Sequence, residues 1–158
     1  MSFFYGEFPY TMDDRNRVPI PPSFRDEFDA KGIVMAPGEE PCIVLSTREA
    51  FEAQVEWLRK LPRELDYVRD AMRQAFARVR FAEKTDGQHR VTLEQRMVDL
   101  LGLDDRREVL VVGADDSLEI WGRAEWEKRA EERAAAQKRA LDEVGTWRVA
   151  QLGIGGTR

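Results

Sequence analysis

The sequence repeats itself: Asp13-Asp14-Arg15-Asn16-Arg17-Val18 is answered by Asp86-Gly87-Gln88-His89-Arg90-Val91, with the first Asp and the last Arg each displaced by 73 positions. The same displacement carries Ile20 onto Leu93, Phe24 onto Met97 and Phe28 onto Leu101. After a two-residue insertion the displacement is 75, and Val34 meets Val109, Gly38 meets Gly113, Ile43 meets Leu118, Leu45 meets Ile120, Arg48 meets Arg123 and Phe51 meets Trp126. A register this long makes the chain two copies of one unit, the kind of internal period that decides architecture before any local propensity does.

Each copy reads as a polar turn, a short apolar strand, a short amphipathic segment, a Val/Ile/Leu run, a turn, another strand and a helix. Half of 158 residues buries too little apolar surface to stand alone comfortably. The two copies are therefore expected to share one core, as a pseudo-two-fold α+β domain. The expected division is a first repeat with its helix over 1–61, a linking helix over 62–80, a second repeat with its helix over 81–143 and a flexible tail over 144–158.

Local chemistry fills in this outline. Phe4, Phe8 and Tyr10 alternate as on a half-buried strand, and Pro9 places that strand at an edge or bend. Asp13 to Arg17 reads as a hairpin turn with Asn16 at a position of positive φ, and His89 is its counterpart. Pro19, Pro21 and Pro22 delay any helix until Ser23, which is placed to cap a short one through Phe28. Ile33-Val34-Met35 and Ile43-Val44-Leu45 flank a Pro/Gly turn, and Ser46-Thr47-Arg48-Glu49 has capping-box spacing. Phe51, Val55, Leu58 and Leu61 predict a helix to Pro62, and Leu65, Val68, Met72, Phe76 and Val79 a second one. Val109–Val112 and Leu118–Trp121 repeat the strand pair, and the Ala/Glu/Arg/Lys-rich stretch from Arg123 to about Glu143 is a helix with a thin apolar stripe, solvated or in contact with a partner. Gly153, Gly155 and Gly156 suggest a frayed end.

Composition narrows the function. With 42% hydrophobic and 35% charged residues the chain is an ordinary soluble globular protein, and no segment has the apolar length of a membrane span or the layout of a secretion signal. A cytoplasmic location is expected. The single cysteine, Cys42, lies in an apolar run and reads as a buried structural residue. A net charge of −5 excludes a body uniformly coated for phosphate binding, so any nucleic-acid surface has to be local. Arg15, Arg17 and Arg25 gather around the first turn, opposed nearby by Asp13, Asp14 and Asp26, and are the candidates for such a patch.

Gly6-Glu7, Thr11-Met12-Asp13, Arg17, Pro21 and Phe24-Arg25, with the second turn at Asp86 to Arg90 and Ser117-Leu118-Glu119-Ile120-Trp121 before Glu125-Trp126, resemble the MraZ family over about residues 3 to 135. The resemblance implies tandem AbrB-type swapped-hairpin modules, a double-split β-barrel built within one chain from two internal repeats, with flanking helices and assembly into a homo-oligomeric ring. It also implies a transcriptional regulator that binds short direct repeats in double-stranded DNA upstream of its own division and cell-wall operon, in the nucleoid. The family's turn reads Asp, two residues, Gly, Arg; here Asn16 and His89 replace the glycines.

On that basis the DNA-binding residues are Arg15, Asn16, Arg17, Arg25, Gln88, His89 and Arg90, with Asp13 and Asp86 shaping the turns. Arg15 is the exposed contact, because the resemblance puts a basic residue there and a guanidinium can bind guanine O6 and N7 bidentately. Arg17 is equally a contact or the partner of Asp13, and Arg25 a contact or a solvated surface charge. Gln88 can read adenine, His89 can add a proton-dependent contact, and the second turn has only Arg90 as a cation. One histidine allows neither a zinc site nor a catalytic triad, and no glycine loop cradles phosphate, so no enzyme activity, cofactor, metal or small-molecule substrate is expected. Trp57, Trp121, Trp126 and Trp147 suit packing better than base stacking. The competing function is an antitoxin-like AbrB-type module that acts mainly on a partner protein.

Overall fold

A computed structural model describes the backbone of residues 3–152 and the side chains of residues 3–145. The first copy contains β1 (Glu7–Thr11), β2 (Arg17–Pro19), a 3-10 turn (Pro22–Phe24), α1 (Arg25–Lys31), β3 (Ile33–Pro37), β4 (Cys42–Thr47) and α2 (Arg48–Leu58). After α3 (Asp66–Ala77) the second copy gives β5 (Arg80–Ala82), β6 (Arg90–Thr92), α4 (Gln95–Leu100), β7 (Glu108–Gly113), β8 (Leu118–Gly122) and α5 (Arg123–Lys128). The fold is α+β, and every strand pair in it is antiparallel.

The strand order β1-β7-β8-β4-β3-β5 shows how the copies share a core. β3 and β4 form one hairpin, β7 and β8 the other, and the two hairpins join through β4 and β8. The first strand of each copy leaves its own hairpin and pairs with the other: β1 lies on β7, and β5 lies on β3. β2 and β6 pair with each other as a separate ribbon, Val18 opposite Val91. The sheet is open, with β1 and β5 as its edges, where the resemblance implies a closed barrel. β5 has only three residues, and β2 and β6 pair only with each other, so the ribbon does not hydrogen-bond the two edges together.

The buried side chains follow the repeat. Val18, Ile20, Phe28 and Ile43 of the first copy meet Val91, Leu93, Leu101 and Leu118 of the second in one apolar cluster. The first copy's share is aromatic: Phe4 stacks on Phe28 with centroids 5.2 Å apart and meets Phe24 edge-on at 5.0 Å. Residues before β1 are held on the β7–β8 hairpin by the bridge between Phe4 and Asp115. Gly113 makes this possible, because a Cβ there would lie 2.2 Å from the Tyr5 backbone.

Several local expectations shift by small amounts. Pro9 does lie in an edge strand. Ser23 falls inside the 3-10 turn and caps nothing, since α1 continues from that turn and its N-cap, Phe24, has no side-chain bond. The cap of α2 is Thr47, whose Oγ1 accepts from the Ala50 amide at 3.2 Å; Glu49 turns outward to Lys31 instead of closing a capping box. α2 and α3 are the two helices expected on either side of Pro62, α2 ending at Leu58 instead of running to Pro62, and Trp57 on α2 is 65% exposed, contrary to a packing role. Trp121 is buried, as expected, and the side chain of Trp147 lies outside the described residues. Cys42 is buried, and burial with the nearby Glu119 carboxylate pushes its thiol up to about 12, so it is an inert packing residue.

Residues from Trp126 onward form a separate helical unit. Its main element, α6 (Ala130–Leu152), continues beyond the predicted limit near Glu143, and its described side chains are mostly exposed. Arg133 lies over the Trp126 ring at 3.5 Å. The expected frayed end at Gly153, Gly155 and Gly156 is outside the described residues. Among the described residues no helix is long and apolar enough to cross a membrane.

Candidate nucleic-acid interface

The two repeated turns lie side by side because β2 and β6 pair. In the first, Asp13 Oδ1 accepts from the amides of Arg15 at 3.0 Å and Arg17 at 2.8 Å, and Oδ2 accepts from Arg17 Nε at 2.5 Å. In the second, Asp86 Oδ1 accepts from the amides of Gln88 at 2.8 Å and Arg90 at 2.9 Å, and Oδ2 from Arg90 Nε at 3.0 Å. An aspartate that bonds amides two and four residues onward folds the backbone into a tight loop by itself. The closing residues, Asn16 and His89, have φ of 61° and 59°, where the sequence predicts positive values.

The turns are also stitched to each other. Asn16 O accepts from the Leu93 amide at 2.8 Å, and His89 O from the Ile20 amide at 2.9 Å, two bonds related by the repeat. Arg90 Nη1 donates to Asp13 Oδ2 at 3.3 Å, so the second turn's arginine helps neutralise the first turn's aspartate.

This geometry sorts the candidate residues. Arg15 is exposed, and its guanidinium has no hydrogen bond or ion pair among the described residues. Arg17 and Arg90 are held by Asp13 and Asp86 and are about three-quarters or more buried. The side chain of Asn16 is engaged at both ends, by Gln95 and by Arg107. Arg25 lies at the start of α1, half-buried, with Nε donating to Ile20 O at 2.8 Å. Gln88 and His89 are exposed, and Gly87 beside them opens onto empty space. Arg107, which no local pattern singles out, donates from Nη2 to Asp13 O at 3.1 Å and to Asn16 Oδ1 at 2.6 Å.

Charge at the turns responds to pH through the aspartates. Partial desolvation raises the Asp13 carboxyl, but bonds from the Arg17 amide and guanidinium and the Arg15 amide outweigh it and hold the group below its ordinary value. For Asp86 the Arg90 amide is the largest influence, opposed by desolvation and reinforced by Gln88 and the Arg90 side chain, and the net direction is again downward. A carboxyl whose folded value is depressed stabilises the fold above its unfolded value and loses that contribution as pH falls through the folded value. Unfolding measured from pH 7 downward should therefore show an acid-labile contribution that starts to fade below about pH 4. Asp13→Asn and Asp86→Asn should flatten that limb; an unchanged acid profile in the double variant would place the acid sensitivity elsewhere.

A family model described as "MraZ protein, putative antitoxin-like" matches residues 3–73 and 81–146, one block for each repeat. The chain is 37% identical over 125 residues to the transcriptional regulator MraZ of Clavibacter michiganensis subsp. michiganensis, covering 79% of this chain and 85% of that protein. It is 36% identical over 132 residues to the transcriptional regulator MraZ of Thermus thermophilus, covering 81% and 88%. With that of Deinococcus radiodurans it shares 35% identity over 127 residues, covering 78% and 84%. With its two copies interleaved and both turns matched, this chain belongs to the MraZ family.

Proposed function

We propose that this protein is a sequence-specific DNA-binding transcriptional regulator that recognises short direct repeats upstream of its own division and cell-wall operon. The observation that carries this reading is the exposed guanidinium of Arg15, unpaired among the described residues, on a turn whose neighbouring arginines are tied down. An acidic body with one free arginine at a rigid turn is suited to local contact rather than to general phosphate adhesion. The names of the relatives, transcriptional regulators, support the same reading. Gln88, His89 and the outer faces of Arg17, Arg25 and Arg90 complete the surface, which acts on nucleoid DNA in the cytoplasm. The exchange of first strands between the hairpins supports the swapped-hairpin ancestry of the two modules.

One such turn makes few contacts, so useful affinity requires several protomers held in a ring, each engaging one repeat. Repeats spaced about 10 base pairs apart would face the ring together. Footprinting on DNA upstream of the gene, with particle mass measured in solution, should show protection in phase with such an array. Equal affinity for one isolated repeat and for the array would sink the multivalent mechanism, and no protection of any duplex would sink the DNA-binding reading.

A further inference from the structure

The loop entering β7 carries Asp104-Asp105-Arg106-Arg107. Asp104 Oδ1 accepts from the Arg106 amide at 3.0 Å and Asp104 O from the Arg107 amide at 3.1 Å, and the chain turns so tightly that Arg107 has φ of 54°. That region is sterically unfavourable for arginine and open to glycine. At the displacement of 75 the matching residue is Gly32, with φ of 80°. Both residues enter the first strand of their hairpin with positive φ, Gly32 as the C-cap of α1 and Arg107 in a turn closed on Asp104 O, and only Arg107 carries a side chain there.

The side chain reaches the first turn. Arg107 Nη2 donates to Asp13 O and Asn16 Oδ1, while the other end of the Asn16 amide donates to Gln95 Oε1 at 3.2 Å, and Gln95 Nε2 is anchored on Asp99 Oδ1 at 2.8 Å. The Arg107 carbonyl in turn accepts from the Met12 amide at 2.9 Å. Among the described residues Arg107 Nε is buried without a partner, and Nη2 makes the only hydrogen bonds of the guanidinium. The second turn is held differently: Asp29 Oδ1 accepts from the amide of Thr85 at 2.8 Å and from its hydroxyl at 2.9 Å, just before Asp86, while the His89 side chain has no hydrogen bond among the described residues.

We infer that Arg107 is a positioning residue for recognition: it locks the first turn, through Asp13 O and Asn16 Oδ1, in the shape that presents Arg15. This rests on the DNA-binding reading of the first turn. Backbone strain held in place by specific contacts is a common way to preorganise a binding loop. The guanidinium itself touches no DNA; its effect passes through Asn16.

The test uses the full-length protein, Arg107→Gly, Arg107→Lys and Arg15→Ala, with duplex from upstream of the gene. Glycine removes the clamp while relieving the backbone, so the fold should persist. Losing two bonds from a charged donor should speed exchange of the Asn16 and Leu93 amides by about tenfold and weaken duplex binding by about tenfold. The His89 and Ile20 amides should keep their rates, and the slope of affinity against salt should match wild type, whereas Arg15→Ala lowers that slope. Arg107→Lys keeps the charge with fewer donors and should fall between. Unchanged exchange at Asn16 and Leu93 overturns the clamp, and equal acceleration at both turns overturns its specificity. A slope reduced as in Arg15→Ala makes Arg107 a direct contact and overturns the positioning role, as does faster exchange with unchanged affinity. If wild-type protein binds no duplex, the DNA reading fails, while the exchange rates still decide the clamp.

Discussion

Arg15→Ala should reduce affinity for an array of operator repeats by at least about a hundredfold while leaving the fold intact. A bidentate arginine contact is worth ~1–3 kcal/mol, or roughly 5- to 150-fold, for each turn engaged, and a protomer array loses it more than once. Stability should hardly change, because the Arg15 side chain is exposed and bonds nothing described; only its amide serves the Asp13 turn, and alanine keeps that amide. Gln88→Ala, at the equivalent place in the second turn, removes a neutral group and should cost only a few-fold at each protomer. Titration of both variants, with mass and thermal unfolding as controls, gives the comparison. An Arg15→Ala protein that folds, assembles and binds with wild-type affinity would show that the first turn does not read DNA.

The largest effect on stability is expected at Phe28. Its ring is fully buried, stacks on Phe4 and belongs to the cluster where the two copies meet. Truncation to alanine should cost about 3–5 kcal/mol, the usual range for a phenylalanine whose surroundings cannot collapse into the space. In a chain of this length each kcal/mol lowers Tm by about 2–4 °C, so a fall of roughly 6–20 °C follows. The ring stacked on it, Phe4, is itself braced edge-on by Phe24, and these rigid shapes limit such collapse. Leu101→Ala, at the matching site in the aliphatic half, should cost about 2–5 kcal/mol. Urea unfolding with an unchanged m-value measures both, and a loss at Phe28 below about 1 kcal/mol would mean that the ring lies outside the shared core.

Much of this was legible in the residues because it is local chemistry. The aspartates fold their own turns with bonds two and four residues away, so Asp13 and Asp86 predict the loops, and Asn16 and His89 the positive φ, without reference to the rest of the chain. The Val/Ile/Leu runs likewise announce strands. What periodicity does not contain is a strand's neighbour: nothing in Glu7–Thr11 says that it pairs with Val109–Val112 rather than with its own hairpin, since alternation fixes a face and not a partner. Pro9 points to an edge or bend at β1, but nothing local marks β5 as the opposite edge of an open sheet, for the same reason. Arg107 escaped notice because it lies 91 residues from Asn16, within a charged loop that looks like ordinary surface. One signal did point there: a glycine in one copy opposite an arginine in the other marks a left-handed position, and an arginine kept at such a position has a task for its side chain.

The interleaved repeats are nearly, but not fully, alike, and this bears on the direction of reading. Two identical subunits related by a dyad present identical heads in opposite orientations, and the sites that suit them are palindromes. Here both turns belong to one chain, so they are free to differ: Arg15 and Asn16 against Gln88 and His89, with Arg107 bonded to one and Asp29 bonded to Thr85 at the entrance of the other. The broken symmetry gives the protomer a front and a back. In the proposed assembly, such protomers would advance along DNA with a fixed polarity, and the sequence that matches a polar reader is one that repeats head to tail.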